Sequence, residues 1–129
     1  MRHSNPSHLY HLPIYIKAEE IFSLSQKISK YLHYDLSDLK LDGSENDSIY
    51  FTGDIIQQSE SLAPNIISAE LDTDKKHVYA ETLDWLIFRL NATCKRLEKV
   101  NSNGRDFIPV LRSELKKFRK LQRSWMLNL

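Results

Sequence analysis

Five cations fall on one side of a single predicted helix near the end of the chain. Arg112, Lys116, Arg119, Lys120 and Arg123 recur at the three- and four-residue steps that share a helical face. Such a ridge can neutralise phosphates, and Trp125 near its end offers a ring for base stacking. The same ridge could instead stay solvated, or pair with an acidic segment of a neighbouring subunit. The chain as a whole is nearly balanced, with 18 Lys and Arg against 17 Asp and Glu, so only the distribution of charge argues for nucleic acid.

The other reactive groups form no complete constellation. A di-iron centre in a helical bundle needs paired carboxylates and two Glu-x-x-His motifs, and only Asp74-Lys75-Lys76-His77 comes near. The acidic stretch Asp35 to Ser48 fails the EF-hand pattern, because from Asp38 it places Lys40 and Ile49 where oxygen donors belong. His3, His8 and His11 could gather a transition metal, but they fall in an N-terminal segment, 1–12, that the sequence leaves flexible. His77 in a first helical turn admits a histidine phosphotransfer role as a third functional reading, which phosphorylation surviving His77→Ala would remove. Cys94 sits beside an apolar seam, where a thiol acts as a small hydrophobe. No catalytic residue, metal or cofactor is expected.

The elements that position these groups read as helices. Gly (3) and Pro (4) are scarce, and one domain of 129 residues can bury a core unaided. The first helix is predicted over 13–33, with Ile14, Ala18, Ile21, Ser25, Ile28 and Leu32 inward and Phe22 widening the stripe. The second, over 49–71, carries Ile55, Ser59, Leu62, Ile66 and Ala69 on one seam and Ile56, Ala63 and Ile67 beside it. Pro64 removes a backbone donor, so a kink is expected there.

The third helix, over 74–100, has the most regular spacing: Tyr79, Leu83, Leu86, Leu90, Thr93, Leu97 and Val100. Asp72-Thr73-Asp74 is expected to cap its start and Asn101 to Gly104 to close it. The fourth, over 106–127, is expected to be capped by Asp106, with Pro109 in its first turn and Phe107, Leu111, Leu115, Phe118, Leu121 and Trp125 inward. The fold class is therefore all-α, an antiparallel up-down-up-down four-helix bundle over 13–129.

Two stretches resemble a known family. Leu12-Pro13-Ile14-Tyr15-Ile16-Lys17-Ala18-Glu19-Glu20-Ile21-Phe22 is similar to the opening of the four-helix-bundle 23S rRNA intervening-sequence proteins. Within Asp54 to Ile66, Ser61, Asn65 and Ile66 match that family's second helix. The chain departs from the pattern at Ile56 and Gln57, where the family has an arginine pair, and at Ser68 and Ala69, where it has Glu-Gly. The resemblance covers about half the chain. It implies a compact bundle assembled into a homopentamer. Distant relatives, the accessory variability proteins of retroelements, imply nucleic-acid binding beside a reverse transcriptase.

Aromatic residues outside the seams favour self-association. Trp85 and Phe88 flank the third seam, and with Tyr50 and Phe51 they form the expected oligomer interface. The expected function is a non-enzymatic, self-associating bundle that contacts RNA or a nucleic-acid-processing partner through the fourth helix. The alternative is a structural oligomer without nucleic acid. The polar start lacks the apolar core of a signal peptide, and no run is long enough to span a membrane, so a reducing cytoplasm is expected.

Overall fold

A computed structural model describes residues 6–36, 50–99 and 103–129, with the side chains of 8–31, 53–99 and 105–129. Among the described residues every regular element is helical. The α-helices are α1 (Pro13–Leu36), α2 (Tyr50–Glu60), α3 (Leu62–Leu71), α4 (Lys76–Leu97) and α5 (Ile108–Leu127). The acidic stretch beyond Leu36, residues 37–49, lies outside the described residues.

Helix α1 starts at Pro13, where the absent proline N–H costs nothing. Its described inward residues are those of the 3.6-residue pattern: Ile14, Ala18, Ile21, Ser25 and Ile28 are all buried. Ahead of it, Pro6–His11 winds into a 3-10 turn that buries Leu9 completely. This departs from the flexible segment expected over 1–12: burial of one leucine is enough to fasten its second half, with Leu12 packed on the core as well.

The long second helix divides in two at Ser61. Three side chains around that point bond back onto the helix. Ser59 Oγ donates to the Ile55 carbonyl at 2.7 Å, Ser61 Oγ to the Gln57 carbonyl at 2.9 Å, and Asn65 Nδ2 to the Ser61 carbonyl at 2.8 Å. Pro64, lacking an N–H, cannot serve the carbonyl of Glu60. The seam continues through the break, with Ile55, Ser59, Leu62, Ile66 and Ala69 buried.

Helix α4 is entered through a 3-10 turn, Thr73–Lys75. Neither Asp72 nor Lys75 gives a side-chain cap, so the cap expected from Asp72-Thr73-Asp74 is not made; the 3-10 bonds of the entry turn take its place. Asp106 likewise makes no cap. It falls inside the 3-10 turn Asn103–Phe107, and α5 starts after Phe107 with Pro109 in its first turn. Phe107 was expected inward. It is instead exposed and stacks on Tyr31 of α1 at 5.5 Å between ring centres.

Helix α1 packs against α2 and α5, and α4 packs against α2, α3 and α5, so the helices close around one core. Leu83, Ile87, Leu90, Cys94 and Leu97 of α4 meet Ile108, Leu111, Leu115 and Phe118 of α5 in it. One buried polar pair crosses the interior, where Thr93 Oγ1 donates to Gln58 Oε1 at 3.1 Å and joins α4 to α2, while Ser25 Oγ and Gln122 Oε1 are buried with no hydrogen-bond partner among the described residues.

Candidate nucleic-acid and assembly surfaces

The basic ridge of α5 divides into two sets of side chains. Arg112 and Arg119 lie on the flank nearest α4 and are half-buried. Arg112 Nη1 meets Glu98 Oε1 at 2.9 Å, and Arg119 Nη1 meets Asp84 Oδ1 at 2.5 Å. The hydrogen bond to Glu98, then its charge, raises the Arg112 pKa further and keeps the guanidinium charged. These two arginines were expected among the phosphate-binding cations. Both are instead ion-paired, with Glu98 and Asp84.

Lys116, Lys120 and Arg123 lie farther round the helix, are exposed, and have no ion-pair partner among the described residues. Lys117 adds charge beside them, though its ammonium is drawn to Glu114 at 3.5 Å. A shallow groove lined by Glu98, Pro109, Arg112, Ser113 and Lys116 borders the first part of the ridge. Trp125, expected at the end of the ridge for stacking, is turned inward. It is buried, and its indole N–H donates to Glu70 Oε1 at 2.7 Å. Its position continues the Leu111, Leu115, Phe118 face, and burial of an indole outweighs exposure beside cations.

The outer face of α4 carries the aromatic residues expected at an interface. Trp85 and Phe88 are 57% and 65% exposed and lie near-parallel, 6.1 Å between ring centres. Val78, one heptad before Trp85, extends the same face and is also exposed. Arg89 places its guanidinium 5.5 Å over the Trp85 ring. Tyr50 and Phe51 form the first turn of α2, and their side chains lie outside the described residues.

Cys94 is fully buried, and desolvation pushes its thiol up to about 12, far from a nucleophile's range. His77 is exposed in the first turn of α4. Among the described residues no three His, Cys, Asp or Glu side chains gather as a metal site, and no helix is long and apolar enough to cross a membrane.

Asp84 and Glu98, which decide which arginines are free, were not singled out from the sequence. A signal exists: they stand two heptads apart on one side of α4, and Arg112 and Arg119 one heptad apart on α5. Glu114 was also missed. Its carboxylate binds Lys17 of α1 at 2.8 Å, and the hydrogen bond from Lys17 lowers the Glu114 pKa below the usual carboxylate value. The chain matches no protein-family model, no curated protein and no solved structure.

Proposed function

We propose that this protein is a non-enzymatic bundle that self-associates through the outer face of α4 and binds RNA along α5. The observation that carries the reading is the strip Lys116, Lys120 and Arg123. These three cations are exposed and have no ion-pair partner among the described residues, on a helix whose Arg112 and Arg119 are paired with Glu98 and Asp84. The helix fixes the spacing of the three cations along one face, so they can meet successive phosphates without rearrangement of the backbone.

An up-down-up-down order for the helices belongs to this reading. Tyr31 meets Phe107 at one end, while Trp125 meets Glu70, and Lys76 donates to the Leu129 carbonyl, at the other. The break at Ser61 is taken as the kink owed to Pro64. A ring of five subunits is the assembly that the family resemblance implies. A reducing cytoplasm suits a chain whose one cysteine is a buried free thiol.

The test is anisotropy of a short single-stranded RNA against rising salt. Three phosphate contacts give a log–log slope of about −2, and Lys116→Glu with Lys120→Glu and Arg123→Glu removes binding. Salt-independent or absent binding decides for the second reading, an assembly without nucleic acid, which the internal pairing of Arg112 and Arg119 favours. Sedimentation tests self-association. Trp85→Ala with Phe88→Ala yields monomers, and a wild-type monomer at micromolar concentration defeats the assembly.

A further inference from the structure

We infer that the end of the bundle holding Trp125 is a binding site for a small apolar cation, such as an aryl- or alkyl-ammonium. The argument stands apart from RNA binding and uses other residues.

The first turn of α1 and the ends of α3 and α5 enclose a cleft of about 280 Å3 there. Leu12, Pro13, Leu121 and Trp125 supply apolar walls, and Glu70 is the charged group among its lining residues. A second cleft, of about 460 Å3, starts from the same Glu70 and Asn128 and passes His8 and Thr73. Glu70 therefore stands between two openings.

Its carboxylate is oriented rather than loose, because the Trp125 indole N–H holds Oε1 at 2.7 Å. Oε2 has no partner among the described residues. A molecule that fills the cleft takes water away from that oxygen, which is unfavourable unless the molecule brings a positive charge or donor of its own. An ammonium does so, and the Trp125 ring lining the same cleft gives its apolar body a surface to pack on. Lys76 is engaged with the Leu129 carbonyl at 3.1 Å, and no ion pair joins a cation to Glu70 among the described residues. The volume lies just below the usual range for drug-sized ligands, which selects a compound of about ten non-hydrogen atoms.

Phenethylamine and phenylacetate are matched probes of opposite charge. In a Trp85→Phe protein, fluorescence reports Trp125 alone. Phenethylamine is expected to change it saturably with a Kd on the order of 1 mM, a value suited to so small a ligand, while phenylacetate leaves it unchanged. Glu70→Gln keeps an oxygen for the indole but loses the charge, and binding weakens about tenfold or more. Amide shifts of Leu12 and Asn128 in wild-type protein place the ligand by a second measurement. The proposal is overturned if neither probe gives a saturable change, if both bind alike, or if Glu70→Gln binds the amine as wild type does.

Discussion

The two tryptophans occupy opposite situations. Trp85 is mostly exposed on α4, with Phe88 beside it and Arg89 over its ring. Trp125 is 8% exposed at the end of α5, with its N–H spent on Glu70. Both stand on amphipathic helices near basic residues, so residue type and local charge do not separate them. Register against the apolar seam does. Trp125 continues the line of Leu115 and Phe118, whereas Trp85 lies across α4 from Leu83, Leu90 and Leu97. Binding chemistry can therefore use Trp85 from outside, and Trp125 only as part of a wall.

The largest test of this contrast is stability. Trp125→Ala empties a core position and strands Glu70, and is expected to cost about 3–5 kcal/mol in urea unfolding followed by circular dichroism. Trp85→Ala removes a solvated ring and should stay within about 0.5 kcal/mol for the monomer. Equal costs for the two variants would remove the distinction.

A smaller effect concerns the join between α1 and α5, the pair of helices that walls Trp125. Lys17 and Glu114 lie only 2.8 Å apart, and their side chains are 16% and 20% exposed. Glu114 has a folded pKa below its ordinary 4.5, chiefly through the hydrogen bond from Lys17. Its contribution is therefore complete above pH 4.5 and is lost as pH falls through the lower folded value. Lys17 is raised above 10.5 by its bonds to Glu114 and then Glu20, so its share is complete below 10.5 and fades at higher pH. Glu114→Gln is expected to cost about 1 kcal/mol at neutral pH and to flatten the loss of stability as pH falls below 4.5. Parallel acid profiles for variant and wild type would assign the acid sensitivity to other carboxylates.

Periodicity carried most of the fold. The seams of α1 to α3 were legible because apolar residues recur at helical steps, and Cys94 was placed in the core for the same reason. Gln122 was not, since an amide reads as a surface residue; its register between Phe118 and Trp125 buries it, and its Nε2 donates to Asp84 at 2.9 Å while its Oε1 has no partner among the described residues. Ile87 and Ile108 were missed because each widens a seam beyond a strict heptad. The ridge on α5 was legible as a row of charges, but its division into bonded and free members was not. Partners such as Arg119 and Asp84, or Lys17 and Glu114, are set by tertiary packing, and heptad spacing within each helix does not say which acid meets which base. Helix starts failed for a related reason: Asp72 and Asp106 are the right residue types for caps, but 3-10 turns occupy the places where they would act.

The smallest expected change in stability is at the pair beside Trp85. Asp84 and Arg119 are 55% and 41% exposed at the side chain, so water screens their attraction, and Asp84→Asn is expected to shift unfolding by less than about 0.5 kcal/mol. Its effect on binding is expected to be larger than its effect on folding. The substitution keeps an oxygen for Gln122 but removes the charge that restrains Arg119, which then joins Lys116, Lys120 and Arg123 on the ridge. RNA affinity should rise, and the salt slope should steepen by about 0.7 for the added phosphate contact. A slope equal to that of wild type would mean that Arg119 belongs with the inward-facing groups, as Trp125 does, and that the ridge ends at three cations.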